Sequence, residues 1–201
     1  TRENFIDSVF LTNHDQNRIM SEFSENEGKG KLASNILFTL PGISWIYYGE
    51  ELGMTGEKPD ESIRQPFKWS EDDQANTEAQ SNGINDWNSH NQNLEGVEGQ
   101  LDAEDSMLNH YRTLIQLKKD HEVLREGSIE LVDTNSAQTL AYERKTDDAS
   151  VVVVHNLTKN DKTVSLDMSL GETLYDHQGK ASFEGDEIEL EGRSSIVIET
   201  D

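Results

Sequence analysis

The spacing of hydrophobic and polar positions changes along the chain, and the change falls near Glu126-Gly127. Before it, the apolar run at 8–12 ends in polar residues, which is typical of a buried strand in a parallel sheet. Apolar residues at helical spacing over 31–40 predict a helix that stops at Pro41-Gly42. The β-branched and aromatic run at 43–48 predicts a second strand. The chain therefore opens with a strand–helix–strand unit.

A long polar segment follows this unit. Residues 53–105 show little periodicity and are rich in Asn, Gln, Asp, Glu and Gly. A stretch of this length without helices or strands is uncommon in a compact domain and is more often functional than idle. Helical spacing returns from Met107 to Leu117, with Asp105 or Ser106 as the N-cap.

From Gly127 onward, short apolar runs alternate with turn residues. This spacing favours an antiparallel β-sandwich. The sequence therefore predicts two domains, an α/β domain over residues 1–126 and an antiparallel β domain over residues 127–201. The predicted strands lie at 129–132, 139–144, 151–156, 163–166, 174–175, 188–190 and 195–198.

The composition excludes several classes of protein. The 201 residues include no cysteine, which excludes disulfides, a thiol nucleophile and Cys-ligated metal sites. The 40 acidic and 17 basic residues give a net charge of −23, which repels phosphate, so we expect no nucleic-acid partner. No apolar run approaches the roughly 18 residues of a membrane span, so we expect no membrane partner.

The acidic residues are spread along the whole chain, which indicates a solvated surface. Adaptation to high salt is the alternative, because screening shortens the range of repulsion between like charges. A third alternative is a calcium site. It is not favoured, since no segment has the Asp-x-Asp-x-Asp-Gly pattern of a calcium loop.

The densest group of polar side chains comes directly after the first predicted strand, as Asn13-His14-Asp15-Gln16-Asn17-Arg18. Catalytic and binding residues of α/β folds gather at the carboxyl ends of strands. A carboxylate, an imidazole and a guanidinium this close together can bind the hydroxyl groups of a neutral polar ligand. The same residues can also form a polar turn in which Asp15 caps a helix and pairs with Arg18.

This group and several later segments resemble the α-amylase superfamily, the retaining enzymes of glycoside hydrolase family thirteen. Residues 10–18 are similar to the family's fourth conserved region, at the end of the seventh strand of a (β/α)8 barrel. The further matching segments are 41–54 for the eighth strand, 58–60, 63–69, 85–87 and 97–100 for the loop after it, and 106–119 for the eighth helix.

The resemblance implies a fold and a division of the chain. Residues 1–126 correspond to the C-terminal part of the catalytic (β/α)8 TIM barrel, with its last two βα units. Residues 127–201 correspond to an antiparallel β-sandwich that the family calls domain C.

The resemblance also implies roles for individual residues. Asp15 matches the third catalytic carboxylate, which binds sugar hydroxyls and stabilises the oxocarbenium-like transition state. His14 and Arg64 match residues that contact the sugar, although Arg64 can instead brace its loop. Asn13 and Arg18 are expected to support these side chains without touching a ligand. We expect no metal ligand and no cofactor in this chain, and a calcium requirement of the full enzyme stays open.

Two catalytic groups of the family have no match in this sequence. The nucleophile and the acid/base carboxylate come from strands four and five of the barrel, which would precede Thr1, and retaining glycosidases hold them about 5–5.5 Å apart. Glu50 and Glu51 cannot replace them, because adjacent strand residues point to opposite faces. We therefore expect an incomplete, inactive portion of an α-amylase-type enzyme. Its partners would be an α-glucan or maltooligosaccharide and the N-terminal part of the barrel.

Several alternatives remain open at this point. An α-glucosidase or a transglycosylase would share the fold and the motifs, and the chain alone could be a non-catalytic carbohydrate-binding or packing module. Trp69 and Trp87 can stack on sugar rings or anchor the loop. Trp45 is expected in the core, and His110 is expected at the surface or as a capping group. We expect a secreted enzyme, because polymeric starch is met outside the cell.

Overall fold

The computed structural model describes residues 7–70, 91 and 93–200. The helices are α1 (Ile19–Glu22), α2 (Glu27–Thr39), α3 (Asp60–Ile63), α4 (Val97–Asp102), α5 (Met107–Asp120) and α6 (Glu122–Glu126), with a 3-10 turn at Glu50–Leu52. The strands are β1 (Ser8–Phe10), β2 (Ile43–Trp45), β3 (Ser128–Val132), β4 (Thr139–Lys145), β5 (Ser150–Asn156), β6 (Lys162–Ser165), β7 (Leu170–Asp176), β8 (Ala181–Glu184), β9 (Glu187–Leu190) and β10 (Ser195–Thr200). Within these ranges no helix has the length and apolar character that crossing a membrane requires.

The predicted strand–helix–strand unit is present. Strands β1 and β2 form a two-stranded sheet, and α2 lies between them in the chain. Gly42 enters β2 with φ +84°, and a Cβ there would lie 2.3 Å from the main-chain oxygen of Asp7. The amide of Ile43 donates to that same oxygen at 2.9 Å. Only glycine fits this approach, which explains the Pro-Gly stop at the end of the helix.

Two predictions about this sheet are wrong, namely that its first strand is buried and that Trp45 lies in the core. The strands end at Phe10 and Trp45, and both side chains are exposed, at 48% and 58%. Trp45 is therefore not a core residue in this chain. A strand of a parallel sheet is buried on both faces only where other layers cover both faces, and among the described residues this sheet has two strands.

The long polar segment contains more regular structure than its sequence predicts. Helices α3 and α4 lie within residues 53–105, whereas residues 71–90 and 92 are outside the described part. Ser106 is the N-cap of α5, since its Oγ accepts from the amide of Asn109 at 3.1 Å. The surface position expected for His110 is wrong. Its ring is buried and its Nε2 donates to the carbonyl of Lys31 at 3.2 Å.

The C-terminal part is the predicted antiparallel sandwich. One sheet has the order β3-β4-β5-β10-β7, and the other has the order β6-β9-β8. Pairs such as Ile196 opposite Val154 and Val164 opposite Ile188 set the register. Side chains from both sheets form a single core, namely Ala141, Val152, Val154, Val164, Leu166, Ile188, Leu190, Ile196 and Ile198. Strand β8 was not predicted, because Phe183 is its one large apolar residue.

Contacts between Cα atoms divide the chain into two compact units. Of the described residues, the first unit holds those up to Val9, Leu32–Ser44 and everything from Leu114 onward. The second unit holds the described residues of Phe10–Lys31 and Trp45–Thr113. The division of the sequence into domains at residues 1–126 and 127–201 stays a prediction.

In the first unit, polar side chains of α2 meet polar side chains of the five-stranded sheet. We call this group the buried polar layer and define it by Asn35, Thr39, Tyr142, Arg144, His155 and Ser195, all of which are buried. Because one face of the sheet packs on the sandwich core, this layer lies on its other face. The central strands β5 and β10 are therefore covered on both sides.

Five of these side chains form a closed ring of hydrogen bonds. Asn35 Nδ2 donates to Ser195 Oγ at 2.9 Å, and Ser195 Oγ lies 2.7 Å from His155 Nδ1. His155 Nε2 lies 3.0 Å from Tyr142 Oη, which lies 2.6 Å from Thr39 Oγ1. Thr39 Oγ1 then donates to the main-chain oxygen of Asn35 at 2.6 Å. The ring starts at the side chain of Asn35 and returns to its backbone.

The direction of every proton in this ring follows from its last bond. A carbonyl can only accept, so the hydroxyl of Thr39 is used there and its oxygen accepts from Tyr142. Tyr142 then accepts from Nε2–H of His155, which leaves Nδ1 of His155 as the acceptor for Ser195. The closed ring therefore requires a neutral His155. Burial lowers the pKa of His155 to about 3, which favours that same neutral form.

Arg144 anchors the edge of the same layer. Its guanidinium is fully buried and donates to four main-chain oxygens. Nε bonds Ser128 at 3.0 Å, Nη1 bonds Thr39 at 2.6 Å and Leu124 at 2.9 Å, and Nη2 bonds Gly127 at 2.7 Å. Burial lowers the pKa of Arg144 to about 10. Arg144 thus donates hydrogen bonds to carbonyls at the ends of α2 and α6, where no amide of the same helix is available as a donor.

Candidate active site

The polar group identified in the sequence forms a tight turn after β1. Asn13 Oδ1 accepts from the amide of Asp15 at 2.9 Å, and the carbonyl of Asn13 accepts from the amide of Gln16 at 3.2 Å. This side-chain-to-backbone bond is an Asx turn, a favoured use of Asn where a strand reverses direction. It fixes the backbone of Asp15 and leaves the carboxylate directed outward.

The carboxylate of Asp15 lies between an imidazole and a guanidinium. His14 Nε2 lies 3.3 Å from Asp15 Oδ2, and Arg64 Nη2 lies 3.1 Å from Asp15 Oδ1. The side chains of His14 and Asp15 are each 66% exposed. The structure therefore brings together the three residues for which the sequence predicted direct contact with a ligand, and it leaves them accessible.

Arg64 makes two further contacts. Its Nε donates to the main-chain oxygen of His14 at 3.0 Å, and its Nη2 lies 2.7 Å from Asp60 Oδ2. Lys58 also pairs with Asp60, and its hydrogen bond, with a smaller contribution from Arg64, lowers the pKa of that carboxyl. Arg64 thus braces the loop through the backbone of His14 while its charge faces Asp15. The two roles predicted for it as alternatives are compatible in this geometry.

Arg18 lies apart from Asp15. Its fully buried guanidinium lies over two adjoining tyrosine rings, with Cζ 4.7 Å from the centroid of Tyr47 and 4.8 Å from that of Tyr48. Nη1 donates to the main-chain oxygen of Tyr48 at 2.7 Å. Arg64, and not Arg18, is therefore the cation that pairs with Asp15. This location excludes the simple turn in which Asp15 pairs with Arg18, and the supporting function of Arg18 stays a prediction.

The remaining sequence candidates are the two loop tryptophans and possible metal ligands. Trp69 is exposed and makes an edge-to-face contact with Phe67, with ring centroids 4.8 Å apart. Trp87 and residues 85–87 lie outside the described residues. Over residues 7–70, 91 and 93–200, no group of three or more His, Asp or Glu side chains is arranged to hold a metal ion.

The arrangement suits hydrogen bonding to hydroxyl groups. The carboxylate oxygens of Asp15 accept, whereas the imidazole and the guanidinium beside them donate. A charged acceptor makes shorter and stronger hydrogen bonds than a neutral one. An exposed acceptor flanked by donors can thus bind neighbouring hydroxyls of one ligand in a fixed orientation.

Asp60 was missed by the sequence analysis, although a signal for it existed. Asp60 and Arg64 are four residues apart, and side chains at this spacing on a helix face each other. Helix α3 supplies that turn, and Arg64 follows directly after it. The contact of Arg64 with Asp15 carried no such signal, because the two residues come from separate loops.

Comparisons with known proteins identify the same family that the sequence resembles. The family model described as "Alpha amylase, catalytic domain" matches residues 1–127, and that of the "Alpha-amylase SusG C-terminal domain" matches residues 139–197. Alpha-amylase 3 of Dictyoglomus thermophilum is 36% identical over 198 residues, which is 96% of this chain and 38% of that enzyme. A 4-alpha-glucanotransferase of Thermotoga neapolitana is 35% identical over 76% of this chain and 35% of that enzyme.

Among solved structures, the alpha-amylase from H. orenii superposes with a TM-score of 0.80 at 31% identity, over 99% of this chain and 41% of that one. The chain thus spans well under half the length of the relatives that it matches. The fold is part of a TIM barrel followed by an antiparallel domain, as the sequence predicted. These matches show that the chain belongs to the α-amylase superfamily, glycoside hydrolase family thirteen.

Proposed function

We propose that this chain is part of an enzyme that hydrolyses α-glucosidic bonds of starch or maltooligosaccharides with retention of configuration. Asp15 is the carboxylate that stabilises the transition state. The observation that carries this proposal is the exposed carboxylate of Asp15 held between His14 and Arg64 at the end of β1. Active sites of TIM barrels lie at this end of the strands.

In this mechanism Asp15 binds sugar hydroxyls beside the scissile bond. Hydrogen bonds to the 2-OH strengthen as the ring acquires oxocarbenium character, and they supply several kcal/mol to the transition state. His14 donates to the same sugar. Arg64 holds the backbone of His14 and the carboxylate of Asp15 in place before the substrate arrives. Less orientational freedom then has to be lost when the reaction takes place.

The remaining chemistry needs a nucleophile and an acid/base carboxylate about 5–5.5 Å apart. We assign both to the portion of the barrel that relatives carry beyond the matched region, since this chain covers 38% of the Dictyoglomus enzyme. Residues 1–201 alone are then expected to release no reducing sugar from soluble starch. Turnover by these residues alone would contradict that assignment, whereas binding without turnover would favour the carbohydrate-binding module.

The decisive variant is Asp15→Asn in the full-length enzyme. We expect kcat to fall at least about 100-fold with little change in KM, because each 1.36 kcal/mol lost from the transition state alone is tenfold in kcat. Asp60→Asn is the matched control. It removes another exposed carboxylate that pairs with Arg64, and kcat should stay within a few-fold. A folded Asp15→Asn enzyme with unchanged kcat would overturn the role of Asp15.

A transglycosylase is the second candidate, favoured by the 35% identity to a 4-alpha-glucanotransferase. The two activities share the covalent intermediate and differ in whether water or a sugar accepts it. Incubation of the full-length enzyme with maltotriose separates them. A hydrolase yields glucose and maltose, whereas a transglycosylase also yields oligosaccharides longer than maltotriose.

A further inference from the structure

Glu50 connects the ends of both strands of the two-stranded sheet. It lies in the 3-10 turn after β2 and is 2% exposed. Its Oε1 accepts from the amide of Thr12 at 3.2 Å and from the hydroxyl of Thr12, and its Oε2 accepts from the amide of Tyr47 at 3.3 Å. Thr12 follows β1 and Tyr47 follows β2. One carboxylate thus accepts three hydrogen bonds from two separate connections.

Thr12 stands directly before the turn that carries Asp15. The side chain of Asn13, the residue after Thr12, accepts a hydrogen bond from the amide of Asp15 at 2.9 Å. A displacement of Thr12 therefore moves Asn13 and, through this bond, the backbone of Asp15. The carboxylate of Asp15 is exposed and pairs with Arg64, whereas the backbone of Asp15 is held by the Asx turn that begins directly after Thr12. Its orientation therefore depends on how firmly Thr12 is fixed.

Arg18, at the far end of the same loop, is attracted electrostatically by Glu50. Its Nε and Nη2 are buried and make no hydrogen bond within the described part of the chain, so the charge of Arg18 is compensated by the aromatic faces and by the nearby carboxylates of Glu50 and Glu51. Burial of an arginine without such compensation is costly. An ionised Glu50 therefore accepts hydrogen bonds from Thr12 at one end of the loop and attracts Arg18 at the other.

The protonation of Glu50 bears on this arrangement. Burial raises the pKa of Glu50 to about 7, against the opposing effect of its hydrogen bonds and of Arg18. The other charged or titratable groups around it are Arg18, Glu51, Tyr47, Tyr48 and Tyr111. Protonation removes the charge of the carboxyl and turns one acceptor site into an O–H donor, which weakens the hydrogen bonds from Thr12 and Tyr47 below this pH.

We propose that Glu50 is a positioning residue whose ionised carboxylate holds Thr12 by hydrogen bonds and compensates the charge of Arg18, and thereby orients Asp15 for the reaction. This inference rests on the proposed function of Asp15. Glu50 touches no substrate. Its effect reaches the reacting sugar only through the loop of residues 12–18.

The test compares Glu50→Gln with Glu51→Gln in the full-length enzyme. Glu51 is the neighbouring carboxylate, and its Oε2 accepts from the amide of Gly49 at 2.7 Å. We expect Glu50→Gln to lower kcat about 10- to 100-fold with KM within about threefold, because small displacements of a positioned group cost rates of this order. Glu51→Gln should keep kcat. The acid limb of kcat near pH 7 should shift or vanish in Glu50→Gln alone.

Two variants of Thr12 separate positioning from general loss of structure. Thr12→Val keeps the side-chain shape and removes the hydroxyl, so it should lower kcat in the same direction. Thr12→Ser keeps the hydroxyl and should restore kcat towards the wild type. Melting temperatures of all four variants, measured in parallel, should stay within a few degrees of the wild type.

The outcomes for the Glu50 and Thr12 variants can be told apart from a failure of the function proposed for Asp15. Unchanged kcat in Glu50→Gln, or equal losses in Glu50→Gln and Glu51→Gln, would overturn the positioning role if Asp15→Asn still lowers kcat. Unchanged kcat in Asp15→Asn itself would overturn the proposed function. A loss in Thr12→Ser as large as that in Thr12→Val would also contradict the inference.

Discussion

The loop of Asp15 and the buried polar layer both place a histidine beside an oxygen partner, yet their environments are opposite. His14 and Asp15 are each 66% exposed, whereas His155 is fully buried between Ser195 and Tyr142. An exposed pair contributes little to stability and remains available to a ligand. A buried network contributes to stability because any unpaired member carries the full cost of desolvation.

The largest expected effect is at Arg144 in the buried polar layer. Arg144→Met should lower the free energy of unfolding by about 3–5 kcal/mol, because four main-chain oxygens lose their donor together. Urea unfolding monitored by circular dichroism measures this loss. The matched control is Arg112→Met, at an exposed arginine whose Nη1 bonds Asn109. It should change stability by less than about 0.5 kcal/mol, and equal losses in both variants would contradict the comparison.

The next effect is a dependence of stability on pH that comes from His155. The folded pKa of about 3 lies below the unfolded value of 6.5, so the unfolded chain binds more protons between these values. The contribution of neutral His155 is complete above pH 6.5 and is lost as pH falls. Between pH 7 and pH 4.5 the loss amounts to about 2–3 kcal/mol.

Glu50 acts in the opposite direction over the same range, since its raised folded pKa favours the folded state at lower pH. The measurement is therefore the difference in free energy of unfolding between the wild type and His155→Gln, obtained by urea unfolding at pH 7 and at pH 4.5. The gap between the two proteins should narrow at the lower pH. A gap that is constant with pH would show that His155 does not stay neutral and buried in the folded state.

The smallest effect is expected at the exposed loop. Arg64→Gln removes the ion pairs with Asp15 and Asp60 but should lower the free energy of unfolding by less than about 1 kcal/mol, because exposed ion pairs contribute little. The same variant should lower the activity of the full-length enzyme, since the brace on His14 is lost. Thermal unfolding and a starch assay on one preparation test both statements. A large loss of stability would show that the loop is structural.

The strands of the C-terminal part were predictable because their apolar residues recur at short, regular intervals. Predicted and observed strands differ there by a few residues at most, except for the missed β8. The polar group after β1 was also visible, since six polar residues follow an apolar run. Burial at the two-stranded sheet was not predictable, because it depends on which other strands cover Trp45 and Phe10.

The buried ring shows why the remaining contacts could not be predicted. Asn35 and Ser195 are separated by 160 positions, and Thr39 and Tyr142 by 103. No local pattern links residues so far apart, and neither Ser195 nor His155 has a neighbour in the sequence that marks it as a partner. The burial of Glu50 has the same origin, since Thr12 and Glu50 lie 38 positions apart.

The sequence by itself determined the order of the two longest helices and of most strands, the antiparallel character of the second half, and the polar group that ends the first strand. These follow from side-chain periodicity and turn chemistry, which act over a few residues. Only the tertiary structure decided that Arg64 pairs with Asp15, that Arg18 lies over two tyrosine rings and that His155 closes a ring. Those contacts depend on which distant residues folding brings together, and the degree of burial then sets the strength of each interaction.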